Sequence, residues 1–310
     1  MKICKIFSVL CMLLMCLVSV NAFAGNDPNQ NKEEYITIGE MAEGFSEYNL
    51  PQTQDLVGKE YKIYMGEPDA QVAVLHKFVT DKVVYWEVLD GPEKGVAGYD
   101  EYIATNPKEG YYFVEFITGS NQAKMVTLLL DMKRQIATVV LGHFPKEKDD
   151  QMSLYTRSAK KLPITASSVD IMNASIDKPM TSKTPRHNLN SDDLVGKRKL
   201  YQYSSKDAYE HIYHTNRLFT WSCHSGNEKG LTDTDFAQIV KIDKDFYMIV
   251  WVEKIMHIVS TITLNFETMR SSGAMASFEG WDYGEIINVS SGALITDLPG
   301  VKPSDYKMKK

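Results

Sequence analysis

The alternation of apolar and polar residues over short runs predicts a chain built from β-strands. Residues 72–79 and 82–88 are rich in Val, Tyr, Phe and Trp and are parted by Thr80-Asp81, a turn pair. Residues 111–118, 124–131 and 135–141 are further strand candidates, and the gap from Asp131 to Arg134 suits a hairpin. In the second half, 246–252 and 255–264 match them. Short strands at this spacing, with little helical periodicity, predict an all-β fold, an antiparallel barrel or sandwich. Ile36 to Phe45 reads as a short helix or an ordered arm.

The pattern is written twice. Asp55-Leu56-Val57-Gly58-Lys59 recurs as Asp193-Leu194-Val195-Gly196-Lys197. His76 answers His211, Trp86 answers Trp221, Gly91-x-Glu93-Lys94-Gly95 answers Gly226-x-Glu228-Lys229-Gly230, and Asp100 answers Asp235, all 135 residues apart. An offset shared across strand, turn and charged loop marks a duplication. The segments that follow are an arm (25–54), a first barrel (55–145), a linker (146–192) rich in Ser, Thr and Pro, a second barrel (193–298) and a polar tail (299–310).

Period-two alternation also assigns faces. Tyr209, His211 and Tyr213 share one face of a strand, and Phe219, Trp221 and Cys223 share one face of the next. These aromatic faces should point inward. Tyr247, Ile249, Trp251 and Glu253 share a face, with Trp251 inward and Glu253 at the strand end, near the barrel mouth. The equivalent interior of the first unit, with Val74, His76, Phe78, Val84, Trp86 and Val88, is greasier. An aromatic wall with a few polar groups is the usual lining of a small-molecule pocket. The glycine-bracketed loop holding Glu228, and Asp233 and Asp235 after it, stand as mouth candidates or as turn structure. For each inward side chain, core packing competes with ligand contact.

Charge and cysteine usage narrow the classes. Lys2 and Lys5 precede an apolar run from Ile6 to Val20, and Ala22-Phe23-Ala24 supplies small residues where a signal peptidase reads. Residues 1–24 therefore read as a signal peptide cleaved after Ala24, giving a periplasmic or secreted protein. Cys4, Cys11 and Cys16 leave with it; Cys223 stays alone, so an internal disulfide is excluded and packed cores must supply stability. The net charge of −6 becomes −8 once Lys2 and Lys5 are removed, with no dense basic cluster to bind nucleic acid. No segment of the mature chain is long and apolar enough for a membrane span. His211, His214, Cys223 and His224 suggest zinc, but three-residue and one-residue spacings put them on opposite faces, so no metal and no cofactor is expected. Phosphate loops, Rossmann glycines and hydrolase signatures do not occur.

D-L-V-G-K-R at 193–198, Y-E-H-I-Y at 209–213, T-W-S-C at 220–223, G-N-E-K-G-L-T-D-T-D at 226–235 and W-V-E-K at 251–254 resemble the MoaF family, named for molybdenum cofactor biosynthesis protein F. I-T-I-G-E-M-A-E-G-F at 36–45 resembles that family's start. The resemblance implies two tandem calycin-like, lipocalin-type barrels. It also implies a pocket drawn from His211, Tyr213, Trp221, Cys223, Glu228, Asp233, Asp235, Trp251 and Glu253. The chain departs from the family pattern at Val252, where an arginine is expected, and at Phe236-Ala237, where a basic residue and a cysteine are expected, which argues against an anionic ligand.

Three functions follow. The first is an exported binding protein that holds a partly aromatic small molecule in the second barrel. The second is a cofactor-independent lyase or isomerase using His211, Tyr213 and Glu253 as acid and base. The third is a non-catalytic envelope scaffold.

Overall fold

The computed structural model describes residues 35–119 and 123–300, and structural statements below concern those residues. The expected signal peptide and residues 301–310 of the tail lie outside them.

Two eight-stranded antiparallel barrels follow one another along the chain. The first is β1 (Glu60–Met65), β2 (Val72–Phe78), β3 (Val83–Asp90), β4 (Ala97–Lys108), β5 (Tyr111–Ile117), β6 (Lys124–Asp131), β7 (Ile136–His143) and β8 (Ser168–Ile176). Each strand pairs with the next, and β8 returns to β1. The second is β9 (Arg198–Gln202), β10 (Ala208–Tyr213), β11 (Leu218–Ser225), β12 (Thr232–Asp243), β13 (Phe246–Val252), β14 (Val259–Asn265), β15 (Arg270–Phe278) and β16 (Ile286–Leu298), with β16 closing on β9. The helices are short: α1 (Ile38–Ala42), α2 (Glu147–Asp150) and α3 (Leu154–Ala159).

Two expectations need correction. The stretch 146–192 is not only a linker, because β8 lies in it and completes the first barrel. Seven strands would leave two open edges with unpaired backbone groups, and β8 pairs with both β7 and β1. The strand expected at 255–264 starts at Val259, because Glu253 N donates to Ile258 O and the residues between them form the turn.

The duplicated Asp-Leu-Val-Gly-Lys motif does the same work in both halves. Asp55 accepts a hydrogen bond from Tyr112 Oη at 3.1 Å, and Asp193 accepts one from Tyr247 Oη at 2.9 Å. Gly58 and Gly196 have φ of 77° and 80°, a backbone that disfavours any residue with a Cβ.

Both barrels lie in one compact unit beginning at Ile36. The first is filled by Leu56, Ile63, Phe78, Val114, Phe116 and Leu128, among others. The strands in the middle of each half are apolar on both faces, so their outward side chains also need cover. Tyr111, Phe113, Leu129 and Val140 of the first barrel meet Val240, Ile242, Phe246, Met248 and Val250 of the second. Full burial of such a side chain contributes roughly 1.5–3 kcal/mol, so this back-to-back contact is a core in its own right.

Candidate functional site

The lumen of the second barrel is assembled from strand ends that the chain order keeps apart. His211 lies opposite Trp221 in the β10–β11 ladder, and Trp221 lies opposite Asp233 in the β11–β12 ladder. Tyr209, His211 and Tyr213 on β10, Trp221 and Cys223 on β11, and Trp251 on β13 are all buried. Glu253, just past β13, ends at the mouth of the same lumen.

Five of the nine sequence-predicted residues line one cavity: His211, Trp221, Glu228, Trp251 and Glu253. The other four stand behind it. Tyr213 Oη lies 2.7 Å from Tyr201 Oη and 3.4 Å from His211 Nδ1, deep in the barrel. Cys223 donates its thiol to Ser225 O at 3.3 Å, and burial pushes its pKa up to about 11, which keeps it a thiol rather than a nucleophile. Asp235 accepts from Trp221 Nε1 at 2.9 Å. Asp233 pairs with Lys254 Nζ at 2.6 Å, which also lies 3.6 Å from Asp235.

The electrostatics of the lumen come from burial. The His211 ring lies 4.2 Å from that of Tyr201, tilted by 34°, and loss of solvent lowers its pKa to about 3, so it is neutral. Glu228 accepts from Tyr209 Oη at 2.8 Å through Oε2, while its Oε1 has no hydrogen-bond partner. Glu253 accepts from Trp251 Nε1 at 3.2 Å. Burial raises the pKa of both carboxyl groups, and for Glu253 the nearby Asp235 adds to the effect. Asp235 is pushed up to about 6, by burial and then by Asp233.

Alternation could not foresee the plug. Within the arm, α1 docks on the second barrel, while Gln52 and Thr53 at the arm's end pair with Thr105 and Ala104 of the first. Thr37 and Glu40 form a capping box that starts α1, and Ile38, Met41 and Phe45, three and four residues apart, are buried. Phe45 stacks on Tyr203 at 4.5 Å and meets Tyr209 edge-on at 5.4 Å. Gly292 N donates to Phe45 O at 3.1 Å, and Arg270 Nη2 donates to Tyr48 O at 2.7 Å. A Cβ on Gly44 would come within 2.7 Å of Asp207 Oδ2, so the arm needs glycine to pass there. With Met41 and Phe45 lining it, the cavity has a volume of about 30 Å³, far below the several hundred Å³ of a usual ligand pocket. The spacing of Ile38, Met41 and Phe45 was a legible helix-face signal, but nothing local names the surface it covers.

A second site went unpredicted. Where the barrels meet, a cavity of about 210 Å³ is bordered by Gln52, Thr105, Glu115, Ser272 and Ser290. Glu115 is buried there, accepts from Asn288 Nδ2 at 2.7 Å, and burial pushes its pKa up to about 8.

The suspected zinc ligands do not converge. His214 Nε2 lies 2.7 Å from Thr220 Oγ1 and His224 Nε2 lies 3.0 Å from Glu210 Oε2, both on the outer wall. Among the described residues, no group of three or more His, Cys, Asp or Glu is placed to hold a metal ion. Among them, too, no helix is long and apolar enough to cross a membrane.

The two halves match two domains of one family. Residues 33–146 match the MoaF N-terminal domain and residues 188–301 the MoaF C-terminal domain. The chain is 27% identical to Protein MoaF of Klebsiella aerogenes over 264 residues, covering 84% of this chain and 93% of that protein. It is also similar to the crystal structure of a putative beta-lactamase from Burkholderia vietnamiensis, at 14% identity and a TM-score of 0.29, covering 41% of this chain and 97% of that one.

Proposed function

The chain belongs to the MoaF family, and from that premise we propose that it is an exported small-molecule-binding protein whose second barrel takes a partly aromatic ligand when the arm leaves the lumen. The observation that carries this reading is the plug. Phe45 and Met41 occupy a lumen walled by Tyr203, Tyr209, Trp221 and Trp251, and the arm reaches it as a separate segment rather than as a strand of the barrel. The first barrel, by contrast, is filled by its strands and the turn residue Leu56 just before β1, with no separate arm inserted among the described residues. Export rests on the amino-terminal charge and hydropathy pattern, with a periplasmic or secreted location following from it.

The acid–base alternative has less support. A general base works best with a pKa near the working pH, and burial takes His211 far below that. The phenol of Tyr213 faces that of Tyr201. What the lumen offers instead is shape, aromatic faces and hydrogen-bonding carboxyl groups, which suit binding.

Native mass spectrometry of protein purified from its own envelope fraction tests the reading. A retained small molecule is expected, with higher occupancy in a folded Phe45→Ala variant whose plug is shortened. Protein that carries nothing, and shows no stabilisation with any member of an aromatic ligand library in either form, would leave the scaffold reading in its place.

A further inference from the structure

The charges inside the second lumen specify more than an aromatic ligand. Resting on the binding reading above, we propose that the ligand is an aryl-alkyl ammonium: its ring takes the seat of Phe45, and its cationic nitrogen meets the carboxylates of Glu228 and Glu253.

The first observation is an unbalanced charge inventory. Glu228 and Glu253 are 2% and 8% exposed and both border the cavity. Of the two lysines adjacent to them in sequence, Lys229 is exposed to solvent and Lys254 is engaged by Asp233 and Asp235. His211 is neutral. Among the described residues, no ion pair joins a cation to Glu228 or Glu253. Buried carboxyl groups without a cation must hold a proton or meet a ligand's positive charge. Glu228 Oε1, buried and lacking a partner, is the acceptor such a ligand would satisfy.

The second observation is the seat itself. Phe45 supplies a flat ring stacked on Tyr203 and edge-on to Tyr209. A free ligand ring in its place keeps both contacts. The ammonium then sits among Trp221, Trp251 and Tyr209, whose π-faces attract cations most when water is excluded. An anion would face carboxyl groups, with no lysine or arginine among the described residues that line the cavity. A neutral alcohol would gain the ring contacts but leave the carboxyl groups as they were.

The arrangement carries its own pH signature. The titratable and charged groups around the two carboxyl groups are Tyr203, Asp233 and Asp235 beside Glu253, Tyr209 and Cys223 beside Glu228, His211 on the cavity wall, Lys254 held by Asp233 and Asp235, and the exposed Lys229. An ammonium that docks releases the carboxyl protons, so its affinity rises with pH until the amine itself deprotonates. A neutral isostere releases none and stays flat.

The test is calorimetric titration of the purified protein and of its Phe45→Ala variant with benzylammonium, benzyl alcohol and phenylacetate between pH 5 and 8. The expected result is at least a tenfold preference for benzylammonium at pH 8 that shrinks toward pH 5. In folded Glu228→Gln and Glu253→Gln proteins, that preference falls severalfold while affinity for the alcohol holds. If either variant fails to fold, the pH profile of the unmutated lumen decides alone. Binding of the alcohol or phenylacetate as tightly as the ammonium overturns the charge assignment and leaves the binding reading intact. If none of the three binds to folded Phe45→Ala protein, the ammonium assignment falls, and the native mass spectrometry above decides the binding reading separately.

Discussion

The two barrels place different side chains at equivalent positions, and the differences separate scaffold from site. Both keep the histidine of β2 and β10, at His76 and His211, buried and with lowered pKa. Both keep a tryptophan whose indole donates to an aspartate: Trp86 to Asp100 at 2.6 Å and Trp221 to Asp235 at 2.9 Å. What occurs in both halves is therefore structural. The first barrel, however, has Ile63, Met65, Val74 and Val88 where the second has Tyr201, Tyr203, Tyr209 and Cys223. Glu93, the counterpart of Glu228, points to solvent and pairs with Lys124. Without a tyrosine at position 74, the first copy of the loop has no phenol to hold its glutamate inside. The polar hooks of the second lumen thus come as a set: the Tyr209 hydroxyl and the Glu228 carboxyl are useful only together.

The largest expected effect that would break this comparison comes from the tryptophans. Trp221→Ala removes a fully enclosed indole and leaves Asp235 without its donor, and should cost about 3–5 kcal/mol. Trp86 is only half-buried, so Trp86→Ala should cost clearly less. Urea unfolding of the two variants measures both, and equal losses would mean the two interiors are packed alike.

The histidines come next. Their folded pKa values, about 4 for His76 and about 3 for His211, lie below the unfolded value of 6.5. The unfolded chain therefore binds more protons, and the stability each histidine contributes is present above pH 6.5 and lost as pH falls toward the folded pKa. The raised carboxyl groups act in the opposite direction, so the variants must be compared with the unmutated protein at each pH. His76→Phe and His211→Phe should each gain on it by up to about 1.4 kcal/mol per pH unit below pH 6. A gain in one barrel and not the other would end the claim that this residue is common scaffold.

The smallest effect sharpens the comparison at the duplicated motif. Tyr112→Phe and Tyr247→Phe each remove one hydrogen bond to Asp55 or Asp193. Each should cost about 1 kcal/mol in thermal or chemical unfolding, and the two costs should match. A much larger loss at Tyr247, which is the more buried of the two, would assign that aspartate a role in the second barrel beyond holding the turn.

The amino-acid sequence alone determined the duplication, the all-β character and the inward faces of β10, β11 and β13. Strand alternation repeats every two residues, so a window of six or seven letters was enough to aim His211, Trp221 and Trp251 at one interior. Tertiary structure alone decided that Ser168–Ile176 closes the first barrel, that the outer walls of the two barrels share an apolar contact, and that Glu115 is sealed between them. It also decided that the arm, which precedes the first barrel in the chain, fills the second. Those outcomes depend on which surfaces separated by a hundred residues or more bury each other, and no local period encodes a partner at that distance.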